Sequence, residues 1–498
     1  MNTLLRKEYY DKAYKLHENG CIEEALNYYG KILAENPNDS EVLNLTGVGY
    51  YMLSQYDKAE YFTQKAISID NNRYYYETLS KIYSKQNRSD EALMVLLAEQ
   101  EIFGDDFEIC FNIAYLYKTL KNYDKAIEFY NKALGFIPNS RKVYFNLANI
   151  YLLLNDCENA KICYENCLKI DPEDREVKYF LSLCYFRLKD YKSGFPYFEE
   201  RLCRETAIVT QNHTYPNLVR EDNLWKGEDI SDKTLYTYFE AGFGDMIMFA
   251  RYIPLLAKRC KKLIIKPQVE LAQLFRENFP EIEVMDYFKP ENEMYFDVHV
   301  PFLSVPYVLG LKNDEIFISH NGYLNADDKK VFDFKNQYFY NKNLKIAIKW
   351  QGNTYYETDR VINVDAFDEL FKLDNTSIYS AQTFEGSEEL KKLANIHHIV
   401  DLSESFKDFS YTAAALKNID LVICNDTSLV HLAGAMNVPC VVLLPFNHNW
   451  RWHTDLRTCD WYDSVKLYRA EKDESWNSLV ARVVEDLKAG KILTNTLF

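Results

Sequence analysis

"IDLVICNDTSLVHLAGAMNVPCVVLLP", Ile419–Pro445, decides how the second half of the chain folds. An apolar run ends at Cys424 and a helical stretch begins near Ser428. After a turn around Asn437 and Pro439 comes a second apolar run, "VVLLP". Strand, helix and strand in this order point to a parallel sheet. Ligands of such sheets bind beyond the carboxyl ends of the strands. Asn425, Asp426, Thr427, Ser428 and His431 all fall at that junction. A chain building only a core has little use for them. A chain binding something phosphorylated does, because a helix start offers unpaired N–H groups and a favourable dipole.

The same grammar extends outward. From Lys233, strand-like "TLYTYF", "KLIIKP", "IEVMDY" and "YFDVHVPFLSVP" alternate with the helical "DMIMFARYIPLLAKRC" and "VELAQLFRENF". A second series begins at "LKIAIKW" and continues through "TSIYSAQ", "HHIVDL", "IDLVICN" and "PCVVLLP". Two series predict two Rossmann-like lobes facing one cleft, over 233–330 and 340–498, the latter ending in a helix. The segment 205–232 has no helical period and reads as a connector.

Residues 1–204 follow another rule. Small residues recur at Ala25, Ala59, Ala92, Ala126, Ala160 and Gly194, in steps of 34, 33, 34, 34 and 34. Twelve positions earlier stand Ala13, Gly47, Ser80, Ala114, Ala148 and Ser182, with tyrosines three residues after most of these. Twelve positions after the first series lie Pro37, Pro138 and Pro172. This is the tetratricopeptide pattern. Paired helices cross closely at small residues, tyrosine fills the adjoining space, and proline ends the second helix. Tyr50 and Tyr151 are therefore expected to pack. About six repeats make an α-solenoid with a concave groove for a peptide or protein. Asn112 and Asn146, two residues before the small residue of their helices, are candidates for bonding a peptide backbone in that groove. Exposed helix asparagines are the alternative.

Composition sets outer bounds. The 498 residues carry a net charge of -16, which argues against nucleic acid as the main partner. No signal-like or membrane-spanning run stands out. Eleven cysteines without a CxxC pair suit a reducing cytoplasm better than disulfides or zinc, so no metal site is expected.

Three motifs remain. In "EAGFGDMIMFARY", Gly242 and Gly244 permit tight turns after a strand. Asp245 suits a helix cap, and at a strand end beside a cleft it also suits a general base. In "KWQGNTYYETDR", Asn353 and Thr354 offer donors, and Arg360 offers a fork for phosphate oxygens or simply a surface charge. At the opening stretch, Asp426 can accept from sugar hydroxyls, and His431 can donate to phosphate or sugar. Together with Gln382, Thr427 and Ser428 these make up the donor-binding candidates. "NWRWHTDLRTCDWYDS" supplies Trp450, Arg451, Trp452, Trp461 and Tyr462, expected to pack the final helix back across the lobes or, alternatively, to floor a sugar site.

"GFGDMIMFARYIPLLA", "IAIKWQGN" and "NDTSLVHLAGAMNVPCVVLLP" with "NWRW", in that order, resemble the glycosyltransferases related to family 9, the heptosyltransferase-like group. More specifically, the chain resembles bacterial proteins that join such lobes to tetratricopeptide repeats and glycosylate flagellin or other surface proteins. The resemblance implies a GT-B fold, metal-independent and inverting transfer, and a nucleotide sugar as donor substrate with no other cofactor. It implies that Asp245 is the base, that Arg360 neutralises phosphate, and that Asp426, Thr427 and His431 contact the donor. Ser428 replaces a glycine common in that group. Glu240-Ala241-Gly242 replaces Glu-Gln-Gly. The expected function is sugar transfer to a protein hydroxyl. The alternatives are transfer to a lipid-linked or surface glycan with the repeats as docking module, and an inactive scaffold.

Overall fold

The computed structural model of the chain describes residues 3–203, 215, 217–286, 290–352, 360–383, 386, 388–390, 398–454 and 458–493. The chain divides into two compact units, Met1–Tyr151 with Ile162–Pro172, and Leu152–Lys161 with Glu173–Phe498. Helices come first: α1 (Thr3–Glu18), α2 (Ile22–Glu35), α3 (Ser40–Met52), α4 (Tyr56–Ile69), α5 (Arg73–Lys85), α6 (Ser89–Phe103), α7 (Phe107–Thr119), α8 (Tyr123–Phe136), α9 (Arg141–Leu153), α10 (Cys157–Ile170), α11 (Arg175–Arg187) and α12 (Tyr191–Phe198).

The first unit is built from pairs of these helices, and its small residues show why. Ala13, Ala25, Ala59, Ala92, Ala114, Ala126 and Ala148 are fully buried. A Cβ on Gly47 would lie 2.2 Å from Thr63 Oγ1 and 3.1 Å from the Ala59 carbonyl oxygen, so α3 and α4 meet at backbone distance. Tyr50 stacks on Phe62 and Tyr117 packs tilted on Phe129 of the following helices, with centroids 5.5 and 5.7 Å apart. Successive repeats are tied through their caps. Asp39 accepts from the Val42 N–H at 3.3 Å, and Asp106 from the Ile109 N–H at 2.9 Å. One repeat earlier, Arg6 reaches Asp39 at 2.7 Å, and Arg73 likewise pairs with Asp106. Each aspartate thus satisfies a helix start and receives a charge from the preceding pair.

The second unit holds α11, α12 and two parallel sheets. The first lobe contains β1 (Ile230–Tyr238), α13 (Phe243–Phe249), β2 (Cys260–Lys266), α14 (Val269–Asn278), β3 (Glu283–Val284) and β4 (Val298–Pro301). Its strand order is β3-β2-β1-β4. After α15 (Asp328–Tyr338), the second lobe contains β5 (Leu344–Lys349), β6 (Thr376–Ser380), β7 (Val400–Asp401), α16 (Phe409–Leu416), β8 (Leu421–Asn425), α17 (Ser428–Ala435), β9 (Cys440–Leu444), β10 (Val465–Arg469) and α18 (Trp476–Lys488). Its order is β10-β9-β8-β5-β6-β7, all parallel. β5 has its sequence successor β6 on one side and the later β8 on the other. The chain therefore reverses winding direction at β5/β8, which opens a crevice at their carboxyl ends. β1/β4 is the equivalent place in the first lobe. Alternation along β5 covers both faces. Ala347 joins the core that includes α16 and α17, while Ile346 and Ile348 join the core formed with α18.

Two details differ from expectation. β10, "VKLYR", adds an edge strand that the sequence pattern did not single out. The final helix packs through Leu479, Val480, Val483 and Val484 on the far face of its own sheet, not against the tryptophans. Trp450 instead meets Phe186 of α11 (4.9 Å) and Phe198 of α12 (6.2 Å). Trp461 meets Phe317 at 4.8 Å and Tyr191 at 5.9 Å. Among the described residues no helix is long and apolar enough to cross a membrane, and the eleven cysteines form no disulfide.

Glu99 of α6 is the first unit's costly residue. Only 1% exposed, its carboxylate has no hydrogen-bond partner among the described residues, and Arg73 Nε stands 3.4 Å away. Burial, reinforced by Glu77, pushes its pKa from 4.5 up to about 7. Between those values the folded chain keeps a proton that the unfolded chain has lost, so stability falls as pH rises through this window and levels off above it. Glu99→Gln should stabilise the chain by about 1–3 kcal/mol at pH 8 and by much less at pH 5. Denaturant melts of both proteins at the two pH values check this; an equal effect at both would refute it.

Candidate active site

Side chains converge on the β5/β8 crevice from three strand ends. β8 ends in Asn425, Thr427 is the N-cap of α17, and Ser428 is its first helical residue. The Thr427 hydroxyl makes no cap bond; it lies 3.4 Å from the Asn425 carbonyl oxygen. Asp426 is 5% exposed. Arg360 Nη1 donates to the Asp426 carbonyl at 2.9 Å and pairs with its carboxylate at 3.0 Å. Asn425 returns a bond from Nδ2 to the Arg360 carbonyl at 2.8 Å. Arg360 and Asp426 are therefore one unit, each orienting the other. Asn425 Oδ1 is buried without a hydrogen-bond partner among the described residues, a polar atom left at the crevice. Asn353 and Thr354 lie outside the described residues.

Gln382, beyond the end of β6, is 1% exposed and spends its amide on the chain itself. Its Oε1 accepts from the Trp350 and Gln351 N–H groups at 3.2 and 3.0 Å, and its Nε2 donates to the Gln351 carbonyl at 3.0 Å. It shapes the turn leaving β5. Lys349, not singled out from sequence, ends β5 at the crevice. It is 8% exposed, with Nζ 3.4 Å from the Ala381 carbonyl and 3.2 Å from Thr383 Oγ1. Burial lowers its pKa to about 8, so it is still largely charged at pH 7. The available signal was a lysine inside the apolar run "LKIAIKW".

The first lobe's glycine turn faces α17. Asp245 Oδ2 accepts from the Gly242 N–H at 3.2 Å, so the capping role is realised. Its Oδ1 accepts from Arg451, a residue 206 positions later in the chain. A Cβ on Gly244 would lie 2.7 Å from His431 Cδ2 and 3.6 Å from Ser428 Cα, so only glycine lets the two lobes meet here. His431 is 3% exposed, stacked on Trp452 (5.4 Å, 17°), with Nδ1 3.0 Å from the Tyr462 hydroxyl. Burial pulls its pKa down to about 4, and the ring is neutral at pH 7. His431 thus sits at the junction of the lobes beside Asp245's turn. The equivalent crevice of the first lobe, at β1/β4, is filled. Arg201 pairs with Glu240 at 2.8 and 3.1 Å and donates to Ser304 at 2.7 Å, while Glu240 accepts from the Leu303 N–H at 2.9 Å.

In the first unit, Asn146 Nδ2 donates to the Lys142 carbonyl at 2.8 Å, and its Oδ1 accepts from Lys118 at 2.9 Å. Asn112 is half-buried on α7. Among the described residues no three His, Cys, Asp or Glu side chains converge as metal ligands would.

Comparison with known proteins places two signatures on this architecture. Residues 107–140 and 142–174 match the tetratricopeptide repeat, and residues 375–453 match glycosyltransferase family 9 (heptosyltransferase). The chain is 23% identical to Protein FlbA of Caulobacter vibrioides over 295 residues, 53% of this chain and 48% of that protein. It is 27% identical over 123 residues to the BBSome complex member BBS4 of Bos taurus, 25% of this chain and 24% of that protein. The chain thus spans about half the length of the first and a quarter of the second. Among solved structures, PilF of Pseudomonas aeruginosa is similar at 16% identity and a TM-score of 0.36, over 40% of this chain and 91% of its own. YrrB, a tetratricopeptide protein with an unusual peptide-binding site, is similar at 20% identity and a TM-score of 0.31, over 34% and 88%. Tetratricopeptide repeats are thus joined to a heptosyltransferase-like α/β region.

The two glycines of the turn should respond differently to one methyl group. Gly244→Ala drives a Cβ against His431 and should cost about 1–3 kcal/mol. At Gly242 the nearest atom to a Cβ is Asp245 Oδ2 at 3.7 Å, ordinary contact, so Gly242→Ala should melt close to wild type. Equal melting temperatures for the two variants would contradict the close approach.

Proposed function

We propose that the chain is a glycosyltransferase that moves a sugar from a nucleotide-sugar donor to a hydroxyl of a protein held by the repeats, by inversion and without a metal. The observation that carries this is the second lobe's switch crevice. It combines a helix start, a buried carboxylate paired with a part-exposed guanidinium, a buried lysine and an amide oxygen with no partner among the described residues. Within the same compact unit, the first lobe's Asp245 stands across α17.

The chemistry follows from these groups. The donor diphosphate lies against the N–H groups of Ser428 and its neighbours, where the α17 dipole favours negative charge. Arg360, aimed by Asp426, and Lys349 supply positive charge to the same place. Asp245 accepts the proton of the acceptor hydroxyl as that oxygen bonds to the anomeric carbon. The bond from that carbon to the phosphate oxygen breaks, and the nucleoside diphosphate leaves with the electron pair. Arg451 and the Gly242 N–H each occupy one Asp245 oxygen, which orients the carboxylate while leaving lone pairs for the proton. His431, neutral at pH 7, is a spacer between the lobes rather than a counter-charge. The donor is a substrate, and no further cofactor is invoked. A flagellin-like or other surface protein is the proposed acceptor class.

A thermal-shift panel of sugar nucleotides carrying each of the four common bases tests the donor half. One donor should stabilise wild type, with affinity reduced about tenfold or more in Arg360→Ala and in Asp426→Asn, the cost of one charge-assisted hydrogen bond. Asp245→Asn should bind that donor normally and transfer about 10²–10⁴-fold more slowly. A folded wild type that no donor stabilises would exchange this reading for the inactive scaffold.

A further inference from the structure

The sixth helix pair, α11–α12, belongs to the same compact unit as the lobes. Its surface is already occupied. Phe186, Tyr191, Phe195 and Phe198 are at most 5% exposed, packed into the core that contains Trp450 and Trp461. The segment they hold is 447–453. Arg187, 7% exposed, donates to the His448 carbonyl and, at 2.9 Å, to Asn447 Oδ1. Its Nη1 also reaches the Cys157 sulfur at 3.7 Å, so this buried guanidinium is directed at loop backbone and amide rather than at a carboxylate among the described residues. The Tyr191 hydroxyl meets His453 Nε2 at 2.8 Å. His453 has φ +49°, a conformation that side chains disfavour, and its Nδ1 lies 3.1 Å from Asp460, which Lys189 also pairs at 2.8 Å.

Arg451 stands in the middle of that loop. Its guanidinium lies 4.6 Å over the Trp450 ring, takes Asn449 Oδ1 at 2.6 Å, and reaches Asp245. A continuous line of contacts therefore runs from the last repeat through Trp450 and the 447–453 backbone to Arg451 and the carboxylate of the glycine turn. We infer that this repeat is a working part of the transferase centre: Arg187 and Tyr191 set the 447–453 loop, and Arg451 fixes Asp245. All three are positioning residues, and the inference rests on Asp245 as the base. The groove function is left to the earlier repeats.

Amide hydrogen exchange on the full chain tests the coupling without any substrate. Arg187→Met keeps the side-chain volume and removes the donors; Tyr191→Phe is the milder change. Both should speed exchange in 447–453 and also in 242–249 by about tenfold, while 260–278 stays as in wild type. Loosening of 447–453 alone, or of neither segment, would overturn the coupling. Turnover is read as nucleoside diphosphate released from UDP-N-acetylglucosamine, GDP-mannose, ADP-glucose and CDP-glucose. Arg451→Ala should lose about 100-fold in kcat with the donor KM nearly unchanged, a loss partly restored by added methylguanidinium. A structural role would not respond to methylguanidinium, and the absence of rescue in a folded variant would remove Arg451 from the proposal. If Asp245→Asn turns over like wild type while the exchange response stands, the base assignment fails and the coupling survives.

Discussion

The approach of Gly244 to His431 sets the geometry of everything around it. With no side chain on Gly244, α13 of one lobe rests on α17 of the other at a distance no other residue permits. That contact puts the start of α17 beside the Asp245 turn, and it buries His431 deeply enough to keep the imidazole neutral. Trp452 and Tyr462 close the remaining sides of the ring. A bulkier residue at position 244 would push the lobes apart or force the histidine out, and Asp245 and Arg451 would part with them.

The two lobes treat the same topological feature in opposite ways. Each parallel sheet reverses winding once, and each reversal leaves a crevice that must be filled or used. In the first lobe Arg201, Glu199, Glu240 and Ser304 fill it with a closed set of charge-assisted bonds. Burial pushes the Glu240 carboxyl up, and Arg201 opposes that shift. Such a plug adds little net stability, since desolvation offsets most of its attraction, but it tolerates only one arrangement. In the second lobe the crevice keeps a lysine, an amide oxygen with no partner among the described residues and a helix start. Polar groups left partly unsatisfied inside a protein are costly, and a site for a charged ligand is a physical reason to retain them.

Much of this was legible in the chain because it is periodic or local. The 34-residue step marks the close crossings that Gly47 and the buried alanines make, since a small residue is needed wherever two helices touch. Apolar runs between polar junctions mark the strands up to β9. β10 escaped because its five residues include a lysine and an arginine and follow an aromatic stretch that masks the boundary. Lys349 escaped because a lysine within an apolar run reads as strand; its burial depends on Ala381, Thr383 and the neighbouring Cys424 lying beside it, which no local pattern records. The Arg360–Asp426 and Asp245–Arg451 pairs join residues 66 and 206 positions apart. Contacts between elements far apart in the chain leave no period in sequence, so each partner could be named as a polar residue at a junction, but not the pairing.

The repeat pattern also conceals a change of role. Period and small residues report only that two helices cross, and they continue unbroken through Ser182 and Gly194. A Cβ on Gly194 would lie 2.6 Å from the Phe186 ring, so the sixth pair crosses as tightly as the others. What sets it apart is the outward chemistry of its residues. Arg187 and Tyr191 are buried where a terminal repeat normally turns a polar face to water. A terminal pair that keeps its crossing but buries arginine and tyrosine in a neighbouring loop no longer caps a solenoid. It has become one wall of the domain beside it, and the order of the loop it touches is then part of how that domain works.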